Sequence, residues 1–349
     1  MSRTIHSDDA PLLEIDNLHT HFETETGTVR AVDGISFTVD RGETVCLVGE
    51  SGSGKSVTSE SITRLFHSPP GKIVEGDVRF DGESVTALDE SELQSIRGGR
   101  IGYVFQNPQG ALNPVYTAGQ QIVEAIDLHH DVSSAEARDR AIDLLDRVGI
   151  PEAATRVDDY PHEFSGGMKQ RVVIAMALAC EPDLLVADEP TTALDVTIQS
   201  QILDLLRELQ DEMEMSILLV THDLGVVAEI ADRVVVMYGG KVMERGGVYD
   251  VFETPKHPYT RALLDCLPGR GDAMEPISGS PPDPLDPPSG CRFHPRCPHA
   301  TADCRQGEQP PEVEIERGLE ASCLFYQSGY DADELGDWSY EGAGGGARR

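Results

Sequence analysis

Gly49-Glu50-Ser51-Gly52-Ser53-Gly54-Lys55-Ser56 constrains this chain more than any other stretch. It follows a short apolar run, Thr44 to Val48, and enters a segment of helical character, about Lys55 to Phe66. A buried strand feeding a Gly-rich turn and then a helix opens an α/β unit with a parallel sheet. The pattern is G-x-x-x-x-G-K-[ST]. Glycines let successive backbone N–H groups curl around an anion, and the helix N-terminus adds its positive end. Lys55 is then placed to reach the β- and γ-phosphates of a nucleotide, and Ser56 to ligate Mg²⁺, with Val57 following in the same turn. The loop alone does not separate GTPases, kinases and ATPases.

Around this anchor the chain alternates. Leu12 to Arg41 reads as antiparallel strands, an N-terminal β-subdomain. About 107–165 is helical, with Ala141, Ile142, Leu144, Leu145 and Val148 at helical spacing. A helix from Met168 to Cys180, a strand Leu184–Ala187, a helix of about Ile198–Glu212 and a strand Ile217–Val220 follow. Arg233–Tyr238 and Lys241–Glu244 flank Gly239-Gly240 as a hairpin. The expected fold is α/β with a mostly parallel sheet. Boundaries read as a tail over 1–11, a main domain over 12–245, an extension over 246–329 and a disordered acidic, Gly-rich tail over 330–349.

The chain carries 61 acidic against 28 basic residues, a formal net charge of −33. Nucleic-acid binding needs clustered Lys and Arg, so this imbalance argues against that class. The acids are spread throughout rather than gathered in one block. Such a surface suits concentrated salt, where self-repulsion is screened, and points to an extreme-halophile cytosol. No run approaches a membrane span; the longest apolar stretch is Val172 to Cys180. The N-terminus lacks a signal-peptide core, so the expected location is cytosolic, with membrane contact only through a partner.

Leu184-Leu185-Val186-Ala187-Asp188-Glu189 is an apolar strand ending in two acids. Asp188 suits a Mg²⁺ site and Glu189 suits accepting a hydrogen bond from an attacking water, although two solvated acids at a strand end would look the same. Phe164-Ser165-Gly166-Gly167-Met168-Lys169-Gln170-Arg171 places a Ser-Gly-Gly turn at a helix start, either a second anion-binding terminus or a plain N-cap.

Together these stretches resemble the ABC ATPase family, over about Leu12 to Glu244, with Ser165-Gly166-Gly167 as the signature turn. Phe164 and Met168 stand where the family most often has Leu and Gln, a variant similar to that of oligopeptide-type members. The resemblance implies a P-loop NTPase (RecA-like) core with an inserted helical subdomain. It makes Gln106 the loop glutamine and a Mg²⁺ ligand, Ala193-Leu194-Asp195 the loop crossing a dimer interface, and His222 the switch histidine at the γ-phosphate. Phe22 is either the aromatic that stacks on adenine or an ordinary apolar strand position. Two such chains would face head to tail, with Ser165 and Gly167 of one covering ATP held by Lys55 and Ser56 of the other. The implied partners are a second ABC ATPase subunit forming a heterodimer, two transmembrane permease subunits and an extracellular substrate-binding protein. The implied place is the cytoplasmic face of the cell membrane.

Phe105-Gln106-Asn107-Pro108 with Leu112-Asn113-Pro114 resembles the dipeptide, oligopeptide and nickel branch, as does Lys256-His257-Pro258-Tyr259-Thr260 with Leu263-Leu264. The expected work is ATP hydrolysis driving di- or oligopeptide uptake. Sugar or nickel cargo, or a non-transport ABC ATPase, are the alternatives. Cys291, Cys297, Cys304 and Cys323 are separated by five, six and eighteen residues. In a reducing cytosol, clustered cysteines suggest a metal rather than disulfides. Their spacing fits neither a zinc C-x₂₋₄-C pair nor a ferredoxin run. Some members of the resembled branch carry a [4Fe–4S] cluster on such an extension; zinc or no metal stay open. Cys46, Cys180 and Cys266 read as small core residues.

Overall fold

The computed structural model describes residues 10–106, 108–192, 194–267 and 277–336. Its chain divides into two units. One takes residues up to Leu13, Thr38–Thr44 and Arg79–Val220; the other takes Glu14–Phe37, Val45–Val78 and the chain from Thr221 onward.

Alternating apolar and polar residues give β1 (Leu13–Thr24) and β2 (Gly27–Val39), joined across Glu25 and Thr26. β3 (Thr44–Val48) is buried at every position and leads through the Gly-rich loop to α1 (Lys55–Ile62). This helix stops short of Phe66, where the sequence reading had carried it. Arg64 takes left-handed backbone, φ +51°, and its N–H bonds Ser61 O, which turns the chain away. β4 (Gly71–Phe80), β5 (Glu83–Ser84), α2 (Glu90–Ile96) and β6 (Ile101–Val104) follow. Next come α3 (Pro108–Ala111), α4 (Ala118–His129), α5 (Ser134–Arg147), α6 (Ala153–Arg156) and α7 (Gly166–Ala177). β7 (Leu184–Asp188), α8 (Val196–Met213), β8 (Ser216–Thr221) and α9 (Leu224–Ile230) restore the alternation. The chain continues with β9 (Arg233–Tyr238), β10 (Lys241–Gly247), α10 (Val248–Glu253), α11 (Pro258–Asp265), β11 (Val313–Glu316) and β12 (Leu319–Ala321).

In the first unit β6, β7 and β8 are parallel, with Ile101 opposite Leu184 and Leu184 opposite Ser216. β7 and β8 are buried along their length, as parallel strands covered on both faces must be. The helical insertion holds together by the periodicity seen in sequence. Ala141, Leu144, Leu145 and Val148 are buried, and Ile142 lies at the margin of that face. Thr117 and Ser133 cap α4 and α5, accepting from the backbone N–H groups of Gln120 and Glu136.

In the second unit five strands run in the order β11-β12-β10-β9-β3. Only the β3–β9 pair is parallel; β9–β10, β10–β12 and β11–β12 are antiparallel. The sheet here is therefore less parallel than expected, because the extension adds two strands to its edge. Cys46 is buried and Cys180 nearly so, but Cys266 is half-exposed rather than core. The tail was expected to be disordered from Tyr330. Within its described part, up to Gly336, Leu335 is buried with Cys323 and Phe325 and its carbonyl accepts from Arg261 Nη1 at 2.9 Å, while the other residues are exposed or half-exposed. The remainder of that expectation lies outside the described residues. Among them, no helix is long and apolar enough to cross a membrane.

Candidate functional site

The phosphate loop is shaped by close backbone approach. A Cβ on Gly49 would lie 2.1 Å from the Met237 carbonyl oxygen, and one on Gly54 2.3 Å from that of Ala31. Both positions also have positive φ, so only glycine fits. Lys55 is buried, with Nζ donating to the carbonyls of Gly49 at 2.8 Å and Glu50 at 3.0 Å. Ser53 is buried, and its Oγ has no hydrogen-bond partner among the described residues. Ser51 and Gly52 lie exposed at the loop's tip. Ser56 opens α1 beside Lys55, with Val57 next to it. A glycine-built loop closed around one buried ammonium and leading into a helix is the frame of an anion cradle.

Phe22 is half-buried on β1 and packs edge-to-face on Phe66, ring centroids 6.0 Å apart. Both readings of Phe22 are compatible with that contact. His222 follows β8 and is exposed.

In the first unit, β7 delivers Asp188 and Glu189 together. Asp188 is buried. Glu189 holds left-handed backbone, φ +48°, uncommon for a residue with a side chain and a form of stored strain. Its N–H bonds Val220 O at 2.8 Å, and its carboxylate Oε2 accepts from Gln106 Nε2 at 2.8 Å and Thr192 Oγ1 at 2.9 Å. The loop glutamine and the acid are thus brought into direct contact. Sequence reading missed Thr192; its place three residues after Glu189 on a tight turn was the available signal. Because Gln106 gives its nitrogen to Glu189, its amide oxygen is the atom that remains for a cation.

Ser165 caps α7, with the Met168 N–H 3.3 Å from Oγ. Gly167 is required by packing, since a Cβ there would lie 2.8 Å from Ile198 Cγ2. A Cβ on Gly166 would meet nothing within 4 Å among the described residues, so no contact among them demands glycine there. Asp195 caps α8, accepting from the Ile198 N–H at 3.0 Å. Asn107 and Ala193 lie outside the described residues.

The four cysteines of the extension come together. All are free thiols, and all but Cys297 are buried. Burial pushes Cys291 and Cys297 up to about 11 and Cys323 up to about 12, and neighbouring cysteines add to the shift in each case. Backbone N–H groups face three of the sulfurs: Phe293 and His294 at Cys291, His299 at Cys297, Phe325 at Cys323. Among the described residues only His19, His21 and Asp33 bring three ligand atoms within 4.8 Å of one another. No three of the four sulfurs lie within 4.8 Å of one another. Four soft donors, three of them buried, with N–H groups facing three of the sulfurs, suit a soft metal or an iron–sulfur centre.

Sequence reading also missed Arg296 and Tyr259. Arg296 Nη1 and Nη2 reach the Glu50 carboxylate at 2.5 and 3.0 Å, and the Glu50 N–H donates to Tyr259 Oη at 2.9 Å. An arginine directly before a cysteine, in a chain so poor in basic residues, was the only hint.

Comparison with known proteins agrees with this geometry. A family profile described as ABC transporter matches residues 32–192, and one described as oligopeptide/dipeptide transporter, C-terminal region, matches residues 243–304. The oligopeptide transport ATP-binding protein AppD of Bacillus subtilis is 49% identical, over 90% of this chain and 97% of its own. The dipeptide transport ATP-binding protein DppD of Escherichia coli is 48% identical, over 90% and 96%. A dimeric structure of the ATP-binding cassette MJ0796 in a post-hydrolysis state, bound to ADP and Pi, superposes with a TM-score of 0.61 at 31% identity. It covers 68% of this chain and 98% of that one. At this identity over nearly the whole length, the chain belongs to the family of ABC transporter ATP-binding proteins.

Proposed function

We propose that this chain binds and hydrolyses ATP at the cytoplasmic face of a cell membrane, powering di- or oligopeptide uptake by an ABC importer. The observation that carries the reading is Glu189, strapped by Gln106 and Thr192 at the end of a buried strand, in a chain that also holds a glycine-built phosphate cradle. The extension and the relatives named for peptide transport support the cargo.

ATP phosphates are received by the loop Gly49–Val57, through the backbone N–H groups not already given to Tyr259 and Glu50, and Lys55 neutralises the β/γ charge. Phe22 stacks on adenine. Ser165, Gly166 and Gly167 of one ATPase subunit cover the nucleotide of the other, with Asp195 at their interface, and closure excludes water. Glu189 accepts a hydrogen bond from the attacking water, and His222 contacts the γ-phosphate. Ser56, Gln106 and Asp188 offer the oxygen donors that Mg²⁺ prefers; when bound, it neutralises charge on the transferred phosphoryl group. Cys291, Cys297, Cys304 and Cys323 hold a [4Fe–4S] cluster whose work is structural, tying separate segments of the extension together.

The test is to isolate the tagged chain from membranes without oxygen. The expected result is two permeases, a second ABC ATPase and a peptide-loaded binding protein, with a brown chain carrying about four iron atoms. A sugar- or metal-loaded binding protein would overturn the cargo. A colourless, iron-free chain would overturn the cluster. Absence of any membrane partner would overturn transport.

The dispersed acidic surface supports adaptation to concentrated salt. Melting temperature is therefore expected to rise with KCl well beyond 1 M, where the Debye length is down to about 3 Å. A flat or falling curve would count against that adaptation.

A further inference from the structure

Glu50, the second residue of the phosphate loop, is pinned at three points. Its N–H donates to Tyr259 Oη, its carbonyl accepts from Lys55 Nζ, and its carboxylate is gripped by both ends of the Arg296 guanidinium. This is no surface pair: the Arg296 side chain is 4% exposed and that of Glu50 25%. The remaining guanidinium donors are also taken. Nε reaches Ser278 O at 2.9 Å, Nη2 reaches Ile277 O at 3.0 Å, and Nη1 reaches Tyr238 Oη at 3.2 Å. A planar fork with its donors occupied has one orientation, so its grip on Glu50 is directional as well as electrostatic.

The grip comes from the cysteine module. Arg296 directly precedes Cys297. Arg292, directly after Cys291, pairs with Asp33. The Asp33 N–H donates to Gly240 O at 2.9 Å, and the Gly240 N–H donates to Ser53 O at 3.0 Å. One stretch of the extension thus touches the loop at its second residue and, through Gly240, at its fifth.

We propose that Arg296 is a positioning residue for the nucleotide site: by clamping the Glu50 carboxylate it holds the phosphate loop in the shape that receives phosphates, so the extension sets nucleotide affinity. The proposal rests on the reading of Gly49–Ser56 as an ATP site. The physical cause is preorganisation. A loop that adopts the competent shape only part of the time binds more weakly in proportion to that fraction.

The experiment measures binding of a fluorescent ATP analogue to the full chain, with Arg296→Met, Arg296→Lys, Glu50→Gln and the Arg296→Met/Glu50→Gln pair. Arg296→Met is expected to weaken binding about tenfold, as for a competent fraction near one tenth. Arg296→Lys keeps the charge without the fork and is expected to recover part of the loss. Glu50→Gln should weaken binding similarly, and the double variant no further, because both act through one contact. In turnover by Arg296→Met, KM for ATP rises while kcat stays within about twofold. Wild-type affinity in Arg296→Met, no recovery in Arg296→Lys, or losses that multiply in the double variant would overturn the proposal. Melting without nucleotide checks that each variant is folded. Should Arg296→Met not fold, Arg296→Lys and Glu50→Gln decide the matter alone. A wild-type chain that binds no nucleotide would refute the ATP reading itself.

Discussion

Glu189→Gln is expected to keep ATP binding within about threefold of wild type while hydrolysis falls about 10²–10⁴-fold, the usual worth of a general base. The local geometry makes this substitution clean. An amide oxygen can still accept from Gln106 Nε2 and Thr192 Oγ1, and the backbone bond to Val220 O is untouched. Glutamine is nearly isosteric, so the left-handed backbone at this position is no more strained than before. What disappears is a carboxylate able to draw a proton from water. Steady-state phosphate release beside equilibrium binding separates the two effects. Turnover within tenfold of wild type would remove Glu189 from the catalytic role.

The second large effect is on stability. Glu244 on β10 is completely buried, and its two oxygens accept from the Lys256 and His257 N–H groups at 2.7 and 2.8 Å. It is thereby the clasp between β10 and the turn leading into α11. Glu244→Ala leaves two buried donors without partners, at about 1–3 kcal/mol each. A loss of about 3 kcal/mol or more is expected in urea unfolding; a loss under about 0.5 kcal/mol, the level of an ordinary surface substitution, would show that the clasp does not matter. A pH signature accompanies it. Burial, outweighing the Thr260 hydroxyl, the two N–H groups and nearby Arg261, pushes the Glu244 carboxyl up to about 7. The folded state then holds a proton that the unfolded chain, near its ordinary value of about 4.3, has released. Glu244's contribution is complete below that lower value and fades as pH rises through about 7. Glu244→Ala should therefore flatten the decline of stability over that window.

Local chemistry was legible in the sequence; long-range chemistry was not. Gly49 and Gly54 announce a tight loop because their backbone demands are local, and Ala141, Leu144, Leu145 and Val148 announce a helix face because their spacing is local. α1 ended early at Arg64 because a side-chain residue took left-handed backbone, which no periodicity reveals. β11 and β12 escaped notice because Val313–Glu316 and Leu319–Ala321 are too short to show a pattern beside a Pro-rich stretch. Glu50 looked like one of the loop's interchangeable positions. Its partner is 246 residues away, and nothing in either neighbourhood points to the other. Phe22 shows the converse, a residue whose packing on Phe66 leaves both sequence readings standing.

The strand order β11-β12-β10-β9-β3 also bears on how the protein comes into being. A ribosome releases β3 and the phosphate loop well before β9, β10 and β12. Before Arg233–Tyr238 is made, the apolar strand Val45–Val48 has no β9 edge to pair with. Before residue 296 emerges, Glu50 has no guanidinium to hold it. Pairings this distant form slowly and leave apolar edges open meanwhile. A chain stopped before residue 233 would carry every letter of the nucleotide motif without the β9 edge and the guanidinium that flank it here.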